Sequence, residues 1–280
     1  MVNPDVPLFS VVIPTFNRPS MLKRAVLSVL AQSYSRFEVI VVDDGSSTPC
    51  DAVLRELGSP CVRLLRSEHN RGQGAARNLG IEAARGDYIA FLDDDDQLQV
   101  SFLEASYSAL RSADSRCAFS WCSVGFIDEA SGSSVPSSWR LFHTDPPDET
   151  LLLEQLFTVG IGFGFTFRAD CLRQVGAFRS ELRFVEDTDL FIRMVQAGFV
   201  PIIVASVGVL IHNHGLARLT GAELSARRIR ECECLLEEYA VFFLRHPTLR
   251  AQLTGHLRHL DEQRRQVLEP AEFAVSSQRL

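Results

Sequence analysis

The sequence predicts an α/β fold: a mostly parallel sheet flanked by helices, followed by a helical C-terminal extension. Three observations carry that reading. Up to Asp96, short apolar runs alternate four times with helical patterns. The runs are apolar at nearly every residue, as in strands buried on both faces, and helical crossovers make such strands parallel. From about Gly221 the pattern is helical to Leu268, interrupted at Pro247.

Taken in order, Phe9 to Pro14 is a β-branched run stopped by proline and reads as a buried strand. Thr15-Phe16-Asn17-Arg18-Pro19 follows, and Ser20 is the expected N-cap of a helix to about Gln32. Phe37 to Val42 is a second strand, ending in Asp43-Asp44-Gly45-Ser46-Ser47. Asp51 to Leu57 reads as a short helix and Val62 to Arg66 as a third strand. Asn70 to Gly80 is a glycine-rich entry to a helix that stops near Gly86. Tyr88 to Leu92 is the fourth strand, and Asp93-Asp94-Asp95-Asp96 follows it directly. Ligands of open α/β sheets sit beyond the carboxyl ends of the strands. Three such ends carry polar chemistry here, at Thr15 to Asn17, at Asp43-Asp44 and at Asp93 to Asp96.

The second half is less regular. Ser101 to Ser112 reads as a helix and Cys117 to Ile127 as a strand. Asp128 to Pro147, rich in Ser, Gly, Pro and Asp, reads as an exposed excursion or hairpin. Thr150 to Phe157 is an expected helix. Gly160 to Phe167 alternates glycine with bulky residues, as a strand does where a ligand or backbone comes close. Glu186 to Ala197 reads as a helix and Val200 to Leu210 as a strand. In the extension, Leu235, Leu236, Val241, Phe242 and Phe243 suggest packing on the α/β part or on a partner subunit. Its charged residues read as a solvated face.

Composition narrows the function. The 280 residues carry a net charge of -7, which argues against nucleic-acid binding. No segment reaches the ~18 apolar residues of a membrane span. The start of the chain lacks the basic and apolar regions of a signal peptide. A soluble, cytoplasmic protein is the expectation. The Arg227-Arg228-Ile229-Arg230 cluster is too small to argue for peripheral membrane association. Seven scattered cysteines without Cys-x-x-Cys read as reduced thiols. Lys23 is the only lysine and follows no Gly-x-x-x-x-Gly, which excludes a P-loop.

Four aspartates directly after an apolar strand serve no folding purpose, because like charges repel and Asp is a poor strand former. The plain reading is a solvated turn, with Asp96 capping the next helix. The chemical reading is a divalent-cation site, since hard carboxylate oxygens with substrate phosphates suit Mg²⁺ or Mn²⁺.

Five motifs occur in one order: Val11 to Arg18, Val41 to Ser46, Gly72 to Gly80, Gly86 to Asp96 and Val185 to Arg193. Together, over roughly residues 8 to 220, they resemble the family 2 glycosyltransferases of the GT-A fold. The resemblance implies transfer of a sugar from a nucleotide diphosphate to a hydroxyl, with inversion. Residues 1–100 would form the nucleotide-sugar-binding half, 101–220 the half that binds acceptor and carries the base, and 221–280 the helical extension. Pro14, Thr15, Phe16, Asn17 and Arg18 match the first nucleotide-binding motif, with Thr15 and Phe16 along the base. Phe16 stands where the family often has Tyr. Asp44 would accept from the base N–H, favouring uracil or thymine. Asp95 would touch the metal, Mn²⁺ or Mg²⁺, and Asp93 or Asp94 the ribose or donor sugar. Asp93 pairs with Asp95 as the metal motif. Arg77 would face the nucleotide. Asp187, in Glu186-Asp187, matches the catalytic base. His214, rather than His212, best matches a histidine at the metal–diphosphate end. Val100 replaces a usual proline.

The parts also fit one reaction on chemical grounds. A cation stabilises charge developing on a diphosphate leaving group. A positioned carboxylate that accepts the hydroxyl proton contributes roughly 10²–10⁴-fold. Inversion places that base opposite the leaving group, on another part of the chain. The expected partners are a nucleotide-diphospho-sugar and a hydroxyl-bearing glycan, lipid-linked or small-molecule acceptor. Two alternatives stand beside this: a non-catalytic sugar-nucleotide-binding module, and a nucleotidyltransferase. Glu186-Asp187 argues against the first. The absence of a basic glycine-rich loop after the first strand argues against the second.

Overall fold

The computed structural model describes residues 7–140, 160–162, 164–214 and 225–276. The apolar run at the start forms β1 (Phe9–Thr15), with every residue buried. The strand runs through Pro14 instead of stopping there. Its neighbour β2 (Phe37–Asp43) pairs with it along its whole length, but β4 (Tyr88–Phe91) pairs only with Phe9 to Val12. Leu92 donates its N–H to the Val12 carbonyl. Pro14, two residues on, therefore points its absent N–H past the end of β4, where no ladder bond is lost. The helix that follows, α1 (Pro19–Leu30), starts two residues earlier than expected, with Arg18 and not Ser20 at the N-cap position. Pro19 takes the first helical position, which its fixed φ suits, and Ser20 caps nothing.

The chain continues through α2 (Asp51–Leu57), β3 (Val62–Arg66), α3 (Gln73–Ala83), β4, the two-residue β5 (Gln97–Leu98), α4 (Phe102–Arg111) and β6 (Cys117–Asp128). Asp128 then caps a single helical turn, and β7 (Ser138–Arg140) folds back on β6, so the excursion is a hairpin as far as it is described. Residues 141–147 and the expected helix at 150–157 lie outside the described residues. Among the described residues of the glycine-alternating stretch, strand begins at Phe165, with β8 (Phe165–Arg168). After it come α5 (Ala169–Val175), α6 (Glu186–Gln196), β9 (Val200–Asn213), α7 (Ser225–Glu238), α8 (Ala240–Arg245) and α9 (Pro247–Ser276). Neither β5 nor α5 was legible in the sequence; β5, at two residues, is too short to show a period.

The strands form one sheet in the order β3-β2-β1-β4-β8-β6-β9-β5, with β7 on β6. β1, β2, β3, β4, β6 and β9 point one way, and β5, β7 and β8 the other. The expected α/β class and mostly parallel sheet are both present. Alternate residues of β1 and β2 enter opposite cores. Val12, Ile40 and Val42 pack with Ala76, Phe119, Phe165, Phe191 and the C-terminal Phe242 and Phe243. Val11, Ile13, Val39 and Val41 pack with Leu22, Val26 and Leu103. The C-terminal helices thus share the main core, and the extension packs on the sheet domain. All seven cysteines are free, with Cys232 buried and Cys234 exposed, as their spacing implied. Among the described residues no helix is long and apolar enough to cross a membrane.

Helix α3 lies on β1 at Gly80, where an added Cβ would collide with Val12, a branched side chain with no exposure. Gly80→Ala is expected to cost about 1–3 kcal/mol through overpacking, read as a lower urea midpoint. An unchanged midpoint would mean that α3 is free to shift on the sheet.

Candidate active site

Strand direction gathers the polar residues at one edge. The carboxyl ends of β1, β2, β4, β6 and β9 deliver Thr15, Asp43, Phe91, Asp128 and Asn213 there. β8 runs against its neighbours, so its beginning, with Ile161 and Gly162 just before it, reaches the same edge.

The loop after β1 is braced by Asn17. Its backbone is left-handed, at φ 57°. Its Oδ1 accepts from Ser47 N at 2.8 Å, Ser47 Oγ at 3.0 Å and Thr48 N at 3.1 Å, while its own N–H donates to Ser46 Oγ. Asn17 therefore ties the β1 and β2 loops together. Beside it Phe16 is 42% exposed, so it is no core residue and its ring is available for stacking. Asp44 is buried and accepts from Arg71 N at 2.9 Å and Gly72 N at 2.8 Å. It anchors the glycine-rich loop, and each carboxylate oxygen keeps a further lone pair.

The four aspartates differ in their partners, and Asp94 and Asp95 share Arg18. Asp93 accepts from Arg77 Nη2 at 3.0 Å. Asp94 accepts from Thr15 Oγ1 at 2.6 Å and faces Arg18 Nη1 at 3.3 Å; burial pushes its carboxyl up to about 6. Asp95 Oδ2 meets both Arg18 Nη1 and His214 Nε2 at 2.9 Å. Asp96 accepts from the backbone N–H of His212, and Ser101, not Asp96, precedes α4. The expected capping role of Asp96 is therefore replaced by a tie between the β4 turn and β9. The His212 ring is held by Glu129 and Gln97.

Arg77 is the centre of the arrangement. It is 1% exposed. Its Nη1 lies 3.2 Å from Asp187 Oδ1 and 3.3 Å from Glu186 Oε1, and its Nη2 reaches Asp93 and Gln73. Burial alone would lower the arginine's pKa, but Asp187, Asp93 and Glu186 outweigh it and raise it. The carboxylates outnumber the guanidinium. Burial, then Asp187, pushes Glu186 up to about 8 against the pull of Arg77. Burial also raises Asp93. Asp187 Oδ2 accepts from Ile161 N at 2.9 Å, and its side chain keeps 19% of its surface open. Gly162, next to Ile161, lies against Asp93 so closely that an added Cβ would overlap the carboxylate. The sequence predicts a ligand or backbone close to this segment; what lies against Gly162 is the Asp93 side chain, and against Gly164 the Cys122 side chain.

A family model described as glycosyl transferase family 2 matches residues 10–176. The chain belongs to glycosyl transferase family 2. This family 2 chain is 30% identical over 220 residues, 77% of its own length and 76% of the relative's, to WcaA of Escherichia coli K12, whose name provisionally gives it a glycosyl transfer in colanic acid biosynthesis. It is 44% identical over 94 residues to the succinoglycan biosynthesis protein ExoO of Rhizobium meliloti, covering 34% of this chain and 27% of that one. Among solved structures, Staphylococcus aureus TarS 1–349 in complex with UDP-GlcNAc matches with a TM-score of 0.64 and 19% identity, over 81% of this chain and 66% of TarS 1–349. The chain spans less than two thirds of several of its relatives, 41% of an uncharacterised Haemophilus influenzae glycosyltransferase among them. The family 2 assignment makes the chain a glycosyltransferase, and the TarS likeness agrees with the GT-A type of fold.

The structure brings together Thr15, Arg18, Arg77, Asp93, Asp94, Asp95, Glu186, Asp187 and His214, and sets Phe16 and Asp44 along the same edge. Gln73 and the Ile161 amide also belong to the arrangement. Gln73 could have been found from its i,i+4 spacing to Arg77. The Ile161 amide left no sequence signal. For a metal, the donors fit a hard divalent ion in kind, a carboxylate and an imidazole side by side. Among the described residues no three His, Cys, Asp or Glu side chains form a ready ligand set. A cation here would need phosphate and water oxygens to complete its shell, which is how Mg²⁺ is usually held.

The raised Glu186 has a measurable consequence. Between about pH 4.5 and 8 the folded chain keeps a proton that the unfolded chain has lost, so this group's contribution to stability falls as pH rises through that window. Glu186→Gln removes the dependence. Thermal unfolding is expected to show the variant gaining on wild type from pH 5 to pH 8. A constant difference would place an ionised Glu186 in the folded state.

Proposed function

We propose that this glycosyltransferase is a metal-assisted, inverting enzyme that uses a UDP- or dTDP-sugar, with Asp187 as the general base. The observation that carries the reading is the placement of Asp187. It stands at the start of α6, across Arg77 from the Asp93 to Asp96 turn, held through both oxygens yet still partly open. A base for an inverting displacement belongs opposite the group that leaves. Arg77 and the Ile161 amide hold its carboxylate in place.

On this reading Phe16 stacks on the nucleotide base and Asp44 accepts its N–H. Thr15, Asn17 and Pro14 shape that pocket, and Arg18 lies beside the diphosphate. Asp93 and Asp94 orient the ribose and donor sugar. Asp95 and His214, with Asp93 nearby, would hold Mn²⁺ or Mg²⁺. The ion, when bound, stabilises the charge on the departing diphosphate. Asp187 takes the proton from the acceptor hydroxyl, and Glu186, protonated below about pH 8, spares Asp187 a second close negative charge. The TarS structures with UDP and with UDP-GlcNAc support a uracil nucleotide. The names of WcaA and ExoO support a glycan or lipid-linked acceptor in polysaccharide assembly.

Asp187→Asn is expected to lower sugar transfer by about 10²–10⁴-fold while UDP binding by calorimetry stays nearly intact. Full activity in this variant would remove Asp187 from the base role. Asp95→Ala is expected to abolish the part of UDP binding that depends on Mn²⁺. Unchanged metal-dependent affinity would take Asp95 out of the metal site.

A further inference from the structure

The C-terminal helices do more than cover the core. Glu231 lies on α7, within a run of charge that reads in sequence as a solvated face, yet it is buried. Its Oε2 accepts two backbone N–H groups, Arg183 and Phe184, each at 2.9 Å. Its Oε1 accepts from Arg227 Nε at 2.8 Å. Residues 183 and 184 immediately precede Val185, Glu186 and Asp187. The Arg183 side chain runs on to Asn70, bonding its Oδ1 at 3.0 Å and its carbonyl at 3.1 Å. Arg71 and Gly72, the next two residues, donate the amides that hold Asp44. A second tie joins the same helices to α6, where Tyr239 donates to the fully buried Asp189 at 2.7 Å.

We infer that Glu231 is a positioning residue for transfer: from the C-terminal extension it fixes the loop that aims Asp187 and, through Arg183, the loop that holds Asp44. This rests on the proposed role of Asp187. A carboxylate accepting two adjacent amides is a strong and directional anchor. Loss of it would let residues 183–187 move by a fraction of an ångström to an ångström, and such displacements reduce turnover far more than binding. A merely structural glutamate would lower stability and leave turnover per folded molecule alone.

The test compares wild type, Glu231→Ala and Glu231→Gln, with Asp187→Asn as control, below the unfolding temperature of each. Glu231→Ala is expected to lower kcat by about 10- to 100-fold with donor KM changed little, and Glu231→Gln, which keeps an acceptor oxygen, to recover part of it. Amide hydrogen exchange is followed in parallel. Residues 183–187 are expected to lose protection in Glu231→Ala while the β1 and β2 amides keep theirs. Unchanged kcat in folded Glu231→Ala overturns the inference, as does unchanged exchange at 183–187. Should wild type transfer no sugar, the proposed chemistry fails. Exchange then still decides whether Glu231 holds the loop, and unchanged exchange overturns that as well.

Discussion

Arg77 places one guanidinium, almost wholly out of water, between carboxylates from distant parts of the chain: Asp93 after β4, and Glu186 and Asp187 at the start of α6. A buried charge costs several kcal/mol unless it is paired and hydrogen-bonded, and a carboxylate left without its cation is costlier still. The arginine and its acids therefore cannot separate without strong cost. That constraint fixes α6 against α3 and the β4 turn, and so fixes the distance between the two sides of the site. The imbalance of charge has its own effect. Three acids around one base leave excess negative potential, part of which Glu186 relieves by keeping a proton.

The rest of the structure serves this arrangement. Parallel strands bring β1, β2 and β4 to one edge, and the reversed β8 adds Ile161, whose amide completes the hold on Asp187. Bracing runs outward in short steps. Asn17 ties two loops, Asp44 holds the glycine-rich loop, Arg183 joins that loop to the approach to α6, and Glu231 fixes the approach from behind. The loops that carry the site are thereby held by hydrogen bonds, most of them from backbone amides, which is what turnover at a defined geometry needs.

The fold class and most of the site were legible because their signals are local. Apolar runs closed by polar strand ends identify a parallel sheet and the edge where ligands sit. Four aspartates after an apolar strand stand out because folding gives no reason for them, whereas the acidic pair, common at helix starts, stands out only beside the other motifs. Partner choice was not legible. Nothing in the sequence says that Asp95 meets His214 while Asp96 receives the His212 amide, since this follows from where β9 ends relative to the β4 turn. Arg77 is expected to face the nucleotide, and its hold on Glu186 and Asp187 shows only once α6 is packed against it. Glu231 was hidden for the same reason, because a charged residue amid charged neighbours gives no sign that its face of the helix is buried. The helix start at Pro19 and the passage of β1 through Pro14 turn on which backbone N–H groups have partners, a question only the paired sheet answers.

The central claim is that the buried guanidinium holds the two sides of the site together. Urea unfolding of Arg77→Met, close in volume and without charge, tests it most directly. The variant leaves three acids without their cation, and a loss of about 3–5 kcal/mol relative to wild type at neutral pH is expected. Stability equal to wild type would contradict the account, and would mean that α6 and the β4 turn are held by packing alone.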